Sequence, residues 1–209
     1  MTRGKLKVIY GNMFSNKTGT LINEVETLRE YGKDKNKILV LKPKTDTRSG
    51  HGYIKNSKGI KMKAFEISAK NMREIFEVIK LREWEQGAKF NIIAIDEIQF
   101  FEPSLVVFQI IRKLLEDRYD VIVAGLPLNF RGEPFGATLQ LIGLCENVRD
   151  VISLSSRCSK CGKEALLPQR LIDGKPAPYD SDEIKVGGKE SYEARCYECH
   201  ELPQKPIVA

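Results

Sequence analysis

Three groups of residues in this chain have the types and spacing that chemistry needs. The first is Gly11-Asn12-Met13-Phe14-Ser15-Asn16-Lys17-Thr18. It departs from the phosphate-cradling pattern G-x-x-x-x-G-K-[ST] at one position, Asn16, where the pattern has glycine. Such a loop works because consecutive backbone N–H groups point into one concavity at the positive end of a helix. Lys17 would reach the outer phosphates and Thr18 would ligate magnesium. Glycine in the sixth position permits a positive φ, and asparagine is among the few other residues that tolerate left-handed geometry. Asn16 is therefore compatible with the loop provided its side chain points away from the phosphates. Taken alone, the segment reads equally well as an ordinary strand-to-helix turn with a chance lysine.

The second group is Ile92-Ile93-Ala94-Ile95-Asp96-Glu97, an apolar strand that ends in two carboxylates. In phosphate-loop nucleotidases an acid at such a strand end helps to hold magnesium. Adjacent strand residues point to opposite faces, so Asp96 and Glu97 are expected to do different jobs. One serves the metal and the other sits by an incoming hydroxyl as general base. Two solvated carboxylates after a core strand are common, but less so downstream of a phosphate-type loop.

The third group is Cys158-x-x-Cys161 with Cys196-x-x-Cys199. Each pair can give two thiolates to one tetrahedral zinc, and two such pairs close the site. With all four ligands filled the zinc is structural. His200 offers a substitute for one cysteine, though four cysteines are the simpler set. A redox dithiol explains one pair better than two. Cys145 is left over as a packing residue.

Two further segments are distinctive. Gly125–Phe135 follows a buried strand, where α/β sheets place ligand loops. Val186-Gly187-Gly188-Lys189-Glu190-Ser191-Tyr192 lies between the cysteine pairs, and its glycines suit close backbone approach. Tyr192 either packs on a base or caps the zinc module.

Elements must position these residues. Leu6–Tyr10 reads as a strand, and Leu21, Val25 and Leu28 recur at helical spacing after the loop. Tyr31-Gly32-Lys33 ends that helix with a glycine and a basic residue. Ile38–Leu41 is a continuous apolar run, as in a buried parallel strand. Residues 42–63 form a long polar stretch with Asp46-Thr47-Arg48 and a hairpin around Asn56–Gly59. The spacing of Met72, Ile75, Phe76, Ile79 and Trp84 predicts an amphipathic helix over 70–85, with Met72 and Trp84 in the core. Residues 104–116 predict another helix, Val121–Gly125 a strand, 137–148 a short helix and Val151–Leu154 a last strand. Alternating strand and helix argues for a parallel sheet covered on its faces. From Cys158 prolines, glycines and cysteines replace the apolar runs. The division is a nucleotide-binding α/β domain over 1–155 and a small zinc-binding module over 156–209.

The 209 residues and 42% hydrophobic content suit one α/β domain plus an appendage. No stretch approaches the ~18 apolar residues of a membrane span. The opening residues have no apolar signal region, so the cytoplasm is the expected location. Five cysteines there argue for metal or chemistry over disulfides. A net charge of +6 suits an anionic ligand such as a nucleotide. The lysines are spread out, so a solvated basic surface is favoured over a nucleic-acid groove.

Gly11–Thr18, Asp46-Thr-Arg48, Asp96-Glu-Ile-Gln-Phe-Phe101, Phe130-Arg-Gly-Glu-Pro-Phe135, the four cysteines and Val186–Tyr192 occur in the order seen in thymidine kinases of the zinc-containing, cytosolic type. The chain resembles that family over nearly its whole length. The resemblance implies an α/β fold, a phosphate-loop parallel sheet flanked by helices with a small zinc-ribbon-like module. It implies ATP-dependent phosphorylation of the 5′-hydroxyl of thymidine, in nucleotide salvage for DNA synthesis. By match, Gly11, Asn12, Met13, Phe14, Ser15, Asn16, Lys17 and Thr18 bind ATP and Mg²⁺. Asp46, Arg48 and Asp96 join them, and Glu97 is the general base. Gln99, Phe100 and Phe130 match residues of the nucleoside pocket, with Gln99 also placed on the ATP side. The loop Glu183, Ile184, Lys185, Val186, Gly187 and Gly188 resembles a lasso over the thymine base, with Tyr192 beside it. Cys158, Cys161, Cys196 and Cys199 hold structural Zn²⁺. Such kinases are typically homotetramers inhibited by thymidine triphosphate.

The chain departs from the family at Asn16, at the hairpin Asn56-Ser57-Lys58-Gly59, which lacks a histidine, at Pro127-Leu128-Asn129, which lacks acids, and at Pro168 in place of a threonine. Two other readings stand beside the kinase. One is a phosphate-loop nucleotide hydrolase, although no Asn-Lys-x-Asp guanine-reading segment is present. The other is a zinc-ribbon nucleic-acid-binding protein with a decayed nucleotide site, although 156–209 shows no clear basic and aromatic cluster.

Overall fold

The computed structural model describes residues 3–32 and 37–206. Lys33 and the outermost positions of both expected domains lie outside them. The elements run β1 (Leu6–Gly11), α1 (Lys17–Tyr31), β2 (Ile38–Pro43), β3 (Tyr53–Lys55), β4 (Lys61–Lys63), β5 (Phe65–Ile67), α2 (Glu74–Gln86), β6 (Ile92–Ile95), α3 (Ser104–Glu116), β7 (Asp120–Gly125), α4 (Thr138–Ile142) and β8 (Val151–Leu154). After them come β9 (Ser156–Arg157), β10 (Glu164–Ala165), β11 (Leu167–Ile172), β12 (Lys175–Pro176) and β13 (Tyr192–Arg195).

Six strands make one parallel sheet in the order β5-β2-β6-β7-β1-β8. Its strands are apolar on both faces because both faces are covered. Alternate residues serve alternate layers. Val8, Leu39, Leu41, Ile93, Ile95, Val121 and Val123 pack with α2 and α3, whereas Ile9, Val40, Ile92, Ala94 and Ile122 pack with α1. The carboxyl ends of β1, β2 and β6 then open on the same edge, where ligands bind in such sheets.

Several expectations are corrected. Trp84 is 80% exposed. It follows Ile79 by five positions, which at ~100° per residue turns it off the stripe of Ile75 and Ile79. Met72 is buried but precedes α2. The helix expected over 137–148 shrinks to α4, ended by Gly143. The polar stretch from Lys42 is not all loop. Lys42 and Pro43 complete β2, β3 and β4 form the hairpin, and β5 adds an edge strand. Cys145 is half-buried against the core of α2 and α3.

Beyond β8 the chain changes sheet. β9 pairs with β10, and β11 pairs with both β12 and β13. Packing does not stop there. Met13, Phe100, Leu126, Phe130 and Phe135 share an apolar cluster with Ala177 and Tyr192. Among the described residues no helix is long and apolar enough to cross a membrane.

Candidate functional site

β1 delivers the loop and α1 receives it. Asn16 has φ 66° and ψ 32°, the left-handed geometry that the sixth position requires. Its amide rests over Gly19 in the first turn of α1. A Cβ on Gly19 would lie 2.2 Å from Asn16 Oδ1, so the missing side chain at 19 makes room for the extra one at 16. Lys17 is buried and donates to the carbonyl of Asn12 at 2.9 Å. Burial lowers its pKa, against the pull of Glu97 and Asp96. Ser15 Oγ is buried without a hydrogen-bond partner among the described residues.

Asp96 and Glu97 follow the last residue of β6. They are separated by the left-handed backbone of Glu97 (φ 52°) and not by strand alternation. Thr18 Oγ1 donates to Asp96 Oδ2 at 2.9 Å. Glu97 is gripped at both oxygens, by Arg48 Nη2 at 2.5 Å and by Gln99 Nε2 at 2.5 Å. Arg48 Nε also donates to Asp46 Oδ1 at 2.6 Å, so Asp46, Arg48 and Glu97 form a chain. Burial, and then the charge of Glu97, push Asp96 up to about 7. Burial alone would raise Glu97 too, but Arg48 and Lys17 carry it below the usual carboxylate range. Arg48 is held firmly protonated by Glu97.

The other end of the site is aromatic. Phe100 and Phe135 meet edge to face, with centroids 5.8 Å apart. Phe130 has the guanidinium groups of Arg131 and Arg170 over its ring, at 5.1 and 5.2 Å. The segment 178–190 has no regular structure and is strapped across this end. Arg131 donates to the carbonyls of Tyr179 and Ser181, both at 2.7 Å. Arg170 donates to that of Asp182. Asn129 Nδ2 donates to Glu183 at 2.9 Å, and the Tyr192 hydroxyl to the carbonyl of Lys185 at 2.8 Å.

One cavity of about 350 Å³ joins the two ends. Asn16, Lys17, Thr18, Asp46, Arg48 and Asp96 line it at one end, and Glu97, also lining it, is bonded to Arg48 there and to Gln99, which holds Leu126 of the aromatic wall. Phe100, Phe130, Glu183, Lys185 and Tyr192 line the other end, with Gly187 and Gly188 beside them. Tyr192 thus turns to the cavity and away from the cysteines. Phe14 also reaches the cavity, whereas the side chain of Met13 joins the aromatic wall. Gly11, Asn12, Ser15, Gln99, Ile184 and Val186 do not line it. Asn12 turns to the module and donates to the carbonyls of Ala165 and Leu167, at 3.2 and 2.9 Å. Gln99 is buried behind Glu97 and accepts from the N–H of Leu126 at 3.0 Å. Ile184 is 37% exposed, and Val186 packs behind the aromatic wall.

Lys55, Asn56 and Ser57 of the β3–β4 hairpin and Leu126 of the Gly125–Phe135 loop also line the cavity, a role that the sequence did not assign to them one by one. The hairpin's nearness to Asp46 and Arg48 in sequence was the available signal.

The ligand atoms of Cys158, Cys161, Cys196 and Cys199 all lie within 4.8 Å of one another, and Cys161 Sγ is 3.6 Å from Cys196 Sγ. Zn–S bonds of ~2.3 Å in a tetrahedron need sulfurs about 3.8 Å apart, so the set fits zinc. Burial disfavours the Cys158 thiolate, but main-chain N–H groups of Cys196, Cys161 and Lys160 bring it to about 6. His200 is engaged elsewhere, with Nε2 3.0 Å from the carbonyl of Phe130.

A family model described as thymidine kinase matches residues 4–200. A protein named thymidine kinase from Mycoplasmoides gallisepticum (strain R(low / passage 15 / clone 2)) is 40% identical over 206 residues, which is 99% of this chain and 85% of that protein.

Proposed function

From the site and from its membership of the thymidine kinase family, to which this chain belongs, we infer that the protein transfers the γ-phosphoryl group of ATP to the 5′-hydroxyl of thymidine. The products are ADP and thymidine monophosphate. The observation that carries this reading is the single cavity with a phosphate-type loop at one end, an aromatic wall at the other and Glu97 tied to both through Arg48 and Gln99. A phosphoryl group passing from one substrate to another needs such an arrangement.

Lys17 and the main-chain N–H groups of the loop residues that line the cavity bind the triphosphate. Lys17 leaves the carbonyl of Asn12 to do so. Magnesium takes oxygen ligands, and the Thr18 hydroxyl and Asp96 would hold it. Their oxygens already lie 2.9 Å apart, and Asp96 is a buried carboxylate that a cation would relieve. When bound, that ion neutralises charge on the transferred phosphate. Phe100, Phe130 and Tyr192 pack on the thymine base, and the segment Glu183–Gly188 closes over it. The 5′-oxygen attacks the γ-phosphorus, its proton goes to Glu97, and the bond to the leaving ADP oxygen breaks. Each Glu97 oxygen accepts one side-chain hydrogen bond and keeps a lone pair for the proton, while Arg48 stands beside it for the phosphate.

Zinc at the four cysteines is structural in this reading, because no coordination position stays open. Thymidine triphosphate carries both a thymine and a triphosphate, so one molecule of it fills both ends of the cavity. That supports feedback inhibition by the end product. A homotetramer rests on the family resemblance, and a cytoplasmic location is proposed with it.

The alternatives have less support. A hydrolase has no use for the aromatic compartment. A decayed nucleotide site is at odds with the left-handed backbone of Asn16 and the Thr18–Asp96 pair.

Glu97→Gln is expected to cut turnover by about 100-fold or more, the range for a lost general base, with ATP affinity within about threefold of wild type. Single-turnover phosphorylation and nucleotide binding measured side by side check it. Near-normal turnover would remove Glu97 from the role.

A further inference from the structure

Lys42 is a lysine with no access to solvent at all. It sits in β2, inside an otherwise apolar strand. An ammonium group has three protons to donate, and here each finds an oxygen. Nζ donates to the carbonyl of Asp46 at 2.8 Å and to the carbonyl of Gly50 at 2.8 Å, and it pairs with Glu66 Oε1 at 3.4 Å. Glu66 is its register partner on β5 and also accepts from the N–H of Gly52 at 3.1 Å.

The three contacts share one consequence. Lys42 gathers carbonyls from both sides of Arg48, and its counter-ion ties down the residue beyond. The segment 46–52 is wrapped around a fixed charge, much as a turn wraps around a bound cation. Arg48 is the crest of that turn, and from there its guanidinium reaches Asp46 and Glu97. A charge this deep is retained at a desolvation cost, which an apolar residue would avoid.

We propose that Lys42 is the positioning residue for Arg48, and that it sets where the Arg48 guanidinium stands relative to Glu97 and the transferred phosphate. The proposal rests on the reading that Arg48 acts in phosphoryl transfer. Misplacing a reacting or orienting group by about 1 Å can cost on the order of 100-fold in rate. Lys42 touches no substrate in this account, so its effect must run through Arg48.

The test is a double-mutant cycle with Lys42→Met and Arg48→Ala. Lys42→Met alone is expected to lower kcat at least about tenfold, with the KM for thymidine within about twofold. In the Arg48→Ala background the same substitution is expected to cost less than about threefold, because the group it positions is gone. If Lys42→Met lowers the rate of Arg48→Ala by the same factor as that of wild type, Lys42 does not act through Arg48 and the proposal fails. If Arg48→Ala itself turns over like wild type, the reading of Arg48 fails first, which is a separate result. Thermal unfolding shows whether Lys42→Met is folded. Lys42→Gln, which offers two N–H donors toward the carbonyls without the charge, is the second variant and should recover part of the lost kcat. No recovery by a folded Lys42→Gln would likewise count against the proposal.

Discussion

Burial and charge pull the two carboxylates beyond β6 in opposite directions. Asp96 rises from 3.8 to about 7, while Glu97 falls below 4.5 under Arg48 and Lys17. Between pH 3.8 and about 7 the folded protein holds a proton on Asp96 that the unfolded chain has lost. Stability from this group is therefore full below that window and is lost as pH rises through it. The span is worth on the order of 4 kcal/mol at most, at 1.36 kcal/mol per pH unit. Glu97 has the other sign, and its contribution fades only as pH falls through its lowered pKa. Cys158 also titrates between pH 5 and 8, so the gap between wild type and an Asp96 variant, not either curve alone, reports Asp96. Without ligands, Asp96→Asn is expected to melt several degrees above wild type at pH 8, with the gap closing toward pH 5. Parallel melting curves with no pH-dependent gap would contradict this assignment of charge. Both carboxylates stood out in the sequence as acids at a strand end. The grips of Arg48 and Gln99 on Glu97 did not, because both depend on how loops fold back after β2 and β6.

At the scale of the element, β1, the loop and α1 were legible because strand, glycine and helical spacing occur in the expected order. The accommodation of Asn16 was only half legible. Its backbone follows from what asparagine tolerates, but its lodging over Gly19 is a contact made by the helical turn. Alanine is normally better than glycine inside a helix by roughly 0.5–1 kcal/mol. Here Gly19→Ala is expected to do harm, since its Cβ would meet the Asn16 amide at 2.2 Å. That amide is free to swing, and swinging takes it toward the cavity that Asn16 lines. The KM for ATP should rise several-fold in Gly19→Ala, while the KM for thymidine holds. Asn16→Gly combined with Gly19→Ala should return the KM for ATP to wild type or below. An equal loss in both proteins would show that Asn16 is not the obstacle. Elements without a strong period were the hard ones. β5 is three residues long, and the polar character from Lys42 onward hid that β2, legible to Leu41, runs on to Pro43 inside the core.

At the scale of the whole molecule, the zinc module helps to build the site through distant contacts. The cysteine spacing was plain in the sequence. The ties from Arg131 to Ser181, from Asn129 to Glu183 and from Asn12 to Ala165 were not, because no local pattern joins residues so far apart. Ala165 packs against Cys158 and Cys196, so the sulfur cluster is one residue away from the carbonyl that Asn12 holds. β13 runs from Tyr192 at the cavity to Arg195 beside Cys196, and β11 carries Pro168 into the same wall. Loss of metal should therefore loosen both ends of the cavity, but unequally. The aromatic end takes Pro168, Lys185 and Tyr192 from the module as lining, whereas the phosphate loop touches it through Asn12 and Met13. Removing zinc by chelation, or weakening its site with Cys161→Ser, is expected to lower the melting temperature, since metal binding is folding energy in such modules. Under conditions where the protein remains folded, thymidine affinity should fall by about tenfold or more and ATP affinity by only a few-fold. Zinc content measured alongside calorimetric binding of each substrate gives the comparison. If both affinities fall alike, the module acts on the α/β sheet as a whole. If neither falls, the aromatic end is held by the Arg131 and Asn129 ties without help from the metal.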